Sequence, residues 1–354
     1  QNPAATPYPD FAAFLAGLLR SPGGADPYDG PKSLAEAERR RRVGLGQMLD
    51  EGYITASERR AALAIPVDPK EGGDDPFVVP PPKGSALGDK VKGEDYGTKY
   101  FITYVRKWLV SQFGQDAVLE GGLRVYTTLD LNMQKAAFDA VTTTLDRPDD
   151  PAGALVAVDD QGHIKAMMGG TDFEKSSVNL ATGRAGGGLG RQPGSTFKAF
   201  ALAEAVREGY SIGSVLPAPG KIEITDPVCL NGEDKWTVKG GPGGPVSLVT
   251  ATKKSINTVY AQLMARLGPE KVLDMARDLG VIAPGLKPYC SLVLGSGEVS
   301  VLDMASAYST FANQGVAKTP IAVTRVEKAD GTVLNYQPTT KQVLSPTEAG
   351  RVTY

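Results

Sequence analysis

Apolar positions recur at helical spacing between residues 11 and 65. Phe11 to Leu19 reads as a short apolar helix, stopped by Ser21-Pro22-Gly23-Gly24. A second helix is expected over Ser33 to Glu51, with Ser33 as N-cap and Glu36 three positions on. Gly52-Tyr53-Ile54-Thr55 turns into a third, where Thr55 and Glu58 repeat the capping-box spacing. The pattern then fails. Residues 66 to 95 are rich in Pro, Gly and Asp around Pro80-Pro81-Pro82 and read as a linker. Helical spacing returns from Tyr100 to Phe113, with Val105, Trp108 and Leu109 on one side. Leu123 to Leu129 alternates like a strand, and Asn132 to Leu145 reads as a helix. Ala154 to Val158 and Ile164 to Met168 flank Asp159-Asp160-Gln161-Gly162, a hairpin signal. An apolar helix follows residue 195, with Phe197, Phe200, Leu202 and Val206 available for packing. Gly240 to Pro245 is a glycine- and proline-rich turn region. Ser247 to Leu267 reads as a helix pair, and Leu302 to Ala312 as a buried helix.

Composition narrows the classes. A chain of 354 residues accommodates two or three domains. A formal net charge of -2 gives no support for nucleic-acid binding. No run of about eighteen apolar residues occurs, so no segment reads as a membrane span. Cys229 and Cys290 are too few for a disulfide scaffold. No Cys/His cluster suggests a metal, and no cofactor is expected. The single histidine, His163, lies in the hairpin signal, which disfavours a Ser-His-Asp triad.

The chemistry concentrates in Arg191-Gln192-Pro193-Gly194-Ser195-Thr196-Phe197-Lys198 and in Ser255-Ile256-Asn257. Residues three apart on a helix share a face, so the Lys198 amine can sit beside the Ser195 hydroxyl and take its proton. Pro193-Gly194 breaks the chain just before Ser195, which then opens a helix whose positive end favours an alkoxide. The second motif offers another hydroxyl and a carboxamide. Together they are two of three parts of an active-serine acyl-transfer site; the third, K-T-G, does not occur in the chain. Alone, S-x-x-K is weak, since about one is expected by chance in a chain this long. Ser177-Val178-Asn179 also matches S-x-N but precedes the serine. Lys318-Thr319-Pro320 is a decoy for K-T-G, because proline has no N–H to give a substrate strand.

The joint context is stronger. RQPGSTFK, preceded by Ala181-Thr182-Gly183-Arg184, resembles the active-serine segment of class A penicillin-binding proteins. Gly295-Ser296-Gly297-Glu298-Val299-Ser300 followed by Ala305 to Gly315 resembles a later segment of that family, and Gly122 to Gln134 an earlier one. The matches keep the family's order and cover nearly the whole chain. The resemblance implies an α/β (α+β) architecture: a serine-transpeptidase fold with a central antiparallel sheet flanked by helices. Residues 1–65 then correspond to the helical tail of a glycosyltransferase domain, 66–98 to a flexible linker, 99–150 to a small linker domain, and 151–354 to the transpeptidase domain without its K-T-G part. Arg39 to Arg42 falls where the family has a paired-arginine segment, but reads here as a solvated basic face.

That resemblance implies a D,D-transpeptidase that cross-links peptidoglycan stem peptides and is inhibited by penicillin and other β-lactams, at the extracytoplasmic face of a bacterial membrane. Ser195 is the expected nucleophile and Lys198 its base. Ser255 is the expected proton relay, and Asn257 is expected to bind donor backbone and fix Lys198. The donor would carry D-Ala-D-Ala and the acceptor an amine. A non-catalytic β-lactam-sensing or scaffold module and a serine β-lactamase remain the alternatives; the glycosyltransferase-like tail and linker argue against the lactamase. Without K-T-G, the chain is expected to be part of a longer protein or to be completed by a separate chain. The membrane would be reached only through an upstream anchor. Residues 1–354 alone are expected to lack glycosyl transfer and to acylate slowly. An extracytoplasmic setting also permits a Cys229–Cys290 disulfide, with free buried thiols as the alternative.

Overall fold

The computed structural model describes residues 30–67, 93–120 and 122–354, with positions 13, 14, 16, 17, 25 and 27. Most of the helix expected over Phe11 to Leu19, its stop signal and residues 68–92 of the expected linker lie outside the described residues. The chain divides into two compact units, Gln1–Lys90 and Val91–Tyr354.

The described residues of the first unit are mainly helical. Helix α1 spans Pro31–Asp50 and α2 spans Ala56–Ala64. Sequence spacing placed Ser33 at the N-cap of α1, but the cap is Gly30, which makes no side-chain cap bond. Pro31 explains the difference. Its ring presets a helical φ and it has no N–H to leave unsatisfied, so the helix starts at the proline. Glu36 is thereby freed from capping and accepts from Arg39 and Arg40 at 2.7–2.8 Å. Those contacts hold its carboxyl down at about 2. Thr55 and Glu58 do form the expected capping box. Arg39 is exposed, whereas Arg41 is buried and donates to the carbonyls of Ala62 and Ile65. Part of the basic run therefore ties α1 to the end of α2 instead of facing solvent.

The second unit opens with α3 (Thr98–Phe113) and α4 (Gln115–Glu120), then β1 (Arg124–Thr127) and α5 (Leu131–Thr144). Asp130 caps α5 by accepting from the Asn132 and Met133 N–H groups. Strands β2 (Leu155–Val158) and β3 (Ile164–Met168) form the expected antiparallel hairpin, with α3 and α5 against β3. His163 belongs to this hairpin; its Nδ1 lies 3.3 Å from Asp159. Helix α6 (Lys198–Arg207) is interior, with Phe200, Ala201, Leu202, Ala203, Ala205 and Val206 all buried. Two antiparallel pairs follow, β4 (Val215–Pro217) with β7 (Pro245–Ser247) and, between them in sequence, β5 (Lys221–Ile224) with β6 (Trp236–Lys239). Helix α7 (Leu248–Lys253) leads from β7 to α8 (Asn257–Leu267); α8 and α9 (Pro269–Leu279) pack against α6, and α10 (Val301–Ala312) meets it where Phe311 lies beside Phe200.

The last strands are β8 (Val316–Lys318), β9 (Val323–Glu327), β10 (Val333–Asn335) and β11 (Thr340–Gln342), and α11 (Pro346–Thr353) packs on α6. β9 sits between β1 and β10, with Arg124 opposite Glu327 and Val125 opposite Val326. Helix α3, within the expected 99–150 segment, shares one core with β3 and β9 through Phe101, Val105, Leu109, Ile164, Val323 and Val326. A larger core of Phe197, Phe200, Tyr260, Leu263, Met275 and Val293 lies beneath α6 and α8.

Cys229 and Cys290 are bonded, with Cα atoms 5.1 Å apart and a sequence separation of 61. Closing a loop of that length removes about 4 kcal/mol of unfolded-state freedom in the chain-entropy account. Thiol titration of the unfolded, unreduced protein should find no free thiol. Two per chain would exclude the bond.

Candidate active site

Three side chains and one backbone carbonyl, from two separated motifs, converge on one nitrogen. Lys198 Nζ lies 3.0 Å from Ser195 Oγ, 2.9 Å from Ser255 Oγ, 2.8 Å from the Ser255 carbonyl and 2.7 Å from Asn257 Oδ1.

The local fold explains the convergence. Gly194 takes φ +59°, the left-handed region that glycine enters without strain, and starts a tight 3-10 turn over Gly194–Phe197. The α-helix expected at Ser195 begins instead at Lys198. In a turn of three residues, positions i and i+3 eclipse, so Lys198 stacks over Ser195 more directly than on an α-helix. Ser255 lies between α7 and α8 at φ +52°, an uncommon conformation for a residue with a side chain. That backbone turns both its hydroxyl and its carbonyl toward Lys198. Asn257 is the first residue of α8, so its carboxamide projects from the helix start.

The amine has an environment that suits a base. Lys198 is only 3% exposed, and burial lowers its pKa from 10.5 to about 8. It has no ion pair among the described residues; its partners are neutral oxygens. An ammonium has three protons for four oxygens, whereas a neutral amine has two and a lone pair that can accept the Ser195 proton. The Tyr260 ring centroid lies 5.6 Å from Nζ, and the Tyr260 hydroxyl shares a 2.6 Å hydrogen bond with Thr252. Burial pushes that phenol up to about 12. The i, i+3 spacing of Asn257 and Tyr260 puts both on the face of α8 that meets Lys198.

Behind the serine, the segments at 191–195 and 295–300 fold together. Arg191 and Val299 exchange backbone hydrogen bonds at 2.9 and 3.0 Å, and Gln192 donates to the Ser296 carbonyl at 3.1 Å. Gly295 abuts Gly194 so closely that a Cβ there would overlap its backbone. The Tyr308 hydroxyl of α10 donates to the Thr196 carbonyl at 2.7 Å. None of these supports was assigned from sequence.

The decoys lie elsewhere. Asn179 is buried, accepts from the Ala181 N–H and donates to the Tyr100 carbonyl. Lys318 donates to the Asp160 carbonyl, and the Thr319 hydroxyl bonds Thr339.

The penicillin binding protein transpeptidase domain family matches residues 153–354. Penicillin-binding protein 1A of Mycolicibacterium smegmatis is 32% identical over 344 residues, which cover 91% of this chain and 39% of the relative. Penicillin-binding protein 1A of Mycobacterium tuberculosis is 31% identical over 91% of this chain and 38% of its own length. The chain therefore spans about two fifths of these relatives. The solved structure of PonA1 from Mycobacterium tuberculosis in complex with penicillin V superposes with a TM-score of 0.62 at 31% identity, covering 73% of this chain and 70% of that one.

The fold is that of a serine-type transpeptidase domain. The chain belongs to the penicillin-binding protein transpeptidase family.

Proposed function

We propose that this protein is a D,D-transpeptidase that cross-links peptidoglycan stem peptides through a serine acyl-enzyme. The observation that carries the reading is the buried Lys198 amine 3.0 Å from Ser195 Oγ, held by uncharged partners. Ser195 Oγ attacks the carbonyl of the penultimate D-alanine while its proton passes to Lys198 Nζ. The Ser195 N–H is one donor to the developing oxyanion. Collapse breaks the C–N bond, and the proton leaves Nζ through the Ser255 hydroxyl to the departing D-alanine amine. Asn257 holds Lys198 through Oδ1 and offers its Nδ2 to the donor peptide. The amine of a second stem peptide then attacks the ester. Its surplus proton returns along the same path, restoring the Ser195 hydroxyl. A β-lactam imitates the donor and stops at the acyl stage.

The domain reading of residues 1–65 as a glycosyltransferase tail, 66–98 as a linker and 99–150 as a linker domain belongs to the same proposal, as does an extracytoplasmic, membrane-anchored location. The Cys229–Cys290 bond supports an oxidising compartment. No helix among the described residues is long and apolar enough to cross a membrane.

The test is covalent capture followed by transfer. Incubation with a fluorescent penicillin should leave an adduct on the proteolytic peptide containing Ser195. A donor peptide ending in D-Ala-D-Ala should give a product joined to an added amine. An adduct on another residue would overturn the assignment. Rapid release of penicilloate without amine transfer would favour a lactamase, and a trapped adduct with no donor turnover would favour a sensor.

A further inference from the structure

We propose that the Cys229–Cys290 cross-link is a positioning element for acyl transfer: it fastens the backbone behind Asn257 to the backbone behind Ser195. The inference rests on the acyl-transfer reading of the Lys198 cluster.

Each half-cystine belongs to a short segment that leads directly to one side of the cluster. Cys229 ends the 3-10 turn Pro227–Cys229 in the connection between β5 and β6. β6 leaves this connection and runs into Gly240 and Gly241. The Gly240 N–H donates to the Gly220 carbonyl at 3.0 Å. A Cβ on Gly240 would lie 3.4 Å from Asn257 Nδ2, and one on Gly241 would collide with the Pro219 carbonyl and crowd Thr258 Oγ1. The β6 exit therefore presses on the first residues of α8. On the other side, Cys290 opens the 3-10 turn Cys290–Leu294. That turn ends at Gly295, whose left-handed backbone sits against Gly194. Only Gly194 separates this contact from Ser195.

The two half-cystines are 3% and 0% exposed and lie in the large core with Ile224, Val238, Leu292 and Val293. The bond thus joins two packed supports, one per motif, across 61 residues of sequence. Lys198 spans the gap between the motifs, with contacts of 3.0 Å on the Ser195 side and 2.7 Å on the Asn257 side. Hydrogen bonds at these lengths weaken steeply when stretched, and about 1 Å of misplacement can cost about 100-fold in rate. Freeing the two supports from one another should widen the gap and let water reach Nζ.

The experiment compares the oxidised protein with Cys229→Ala/Cys290→Ala. It also uses wild type whose disulfide has been reduced by dithiothreitol, in which one dithiol is oxidised to its cyclic disulfide and two protein thiols form. Circular dichroism gives the folded fraction at the assay temperature. The second-order rate of acylation by fluorescent penicillin is expressed per folded molecule, as a function of pH. We expect a fall of at least tenfold per folded molecule in both forms. The midpoint of the rate–pH profile should move upward from the oxidised value, because a hydrated amine is protonated more readily. Reoxidation should restore both. An unchanged rate and midpoint per folded molecule would overturn the proposal, as would complete unfolding of both forms, which would make the bond a stability element only. The outcome is separable from failure of the acyl-transfer reading: in that case the oxidised wild type itself would form no adduct on Ser195.

Discussion

Replacing Lys198 with alanine should slow acylation by penicillin about 10²–10⁴-fold, the range for loss of a positioned general base. Ser195→Ala should form no covalent adduct at any pH. The wild-type profile should be distinctive. In the proposed role Lys198 accepts a proton only when neutral, and burial brings its pKa to about 8. The acylation rate should therefore climb as pH rises through about 8 and level off above it. The same shift has a stability consequence with a fixed sign. Between about 8 and 10.5 the unfolded chain holds a proton on Lys198 that the folded protein has released. Stability should rise with pH across that window, with no slope from this group below it. Stopped-flow acylation from pH 6 to 10 checks the first statement. Denaturant unfolding of wild type and Lys198→Met over the same range checks the second by difference. A flat rate profile would remove Lys198 from the role of base. Acylation by Lys198→Ala within a few-fold of wild type would do the same.

How far the sequence carried the structure depends on how local each signal was. Thr55 with Glu58 produced the capping box they announced, because a cap involves only three or four neighbouring residues. Asp159 to Gly162 turned the β2–β3 hairpin as expected, with Gly162 at φ +83°. Ser33 misled because Pro31, two residues earlier, was the stronger start signal. Lys198 beside Ser195 followed from spacing alone. The remainder of the cluster did not. Ser255 turns its carbonyl toward Lys198 only because it adopts a left-handed backbone, and nothing in Ser-Ile-Asn announces that.

Long-range pairings were equally hidden. β1 finds its partner in β9, with Tyr126 opposite Arg325; both strands are short, β1 is mostly exposed, and β9 mixes buried valines with half-buried polar residues. No periodicity in either segment names the other. The Gly295–Val299 segment was recognised by resemblance, yet its place beneath Arg191–Gly194 appears only in three dimensions.

Gly295→Ala should therefore damage the site from behind. Gly295 has φ +75°, and a Cβ built on it falls on the Gly194 nitrogen and carbonyl oxygen. Backbone on both sides leaves no flexible side chain to yield. The left-handed conformation costs an alanine about 1–2 kcal/mol, and the overlap adds roughly 1–3 kcal/mol in displaced backbone. For a unit of this size each kcal/mol lowers Tm by about 2–4 °C, so a fall on the order of 10 °C is expected. Acylation should fall further than stability explains, since Gly194 immediately precedes Ser195 and a shift of about 1 Å at a nucleophile can cost about 100-fold. Gly209→Ala supplies the control. Gly209 also has positive φ, +89°, but a Cβ there would meet nothing within 4 Å. It should lose only the conformational term and acylate at the wild-type rate per folded molecule. If Gly295→Ala and Gly209→Ala lose the same stability and both acylate normally, the contact with Gly194 does not support the nucleophile turn.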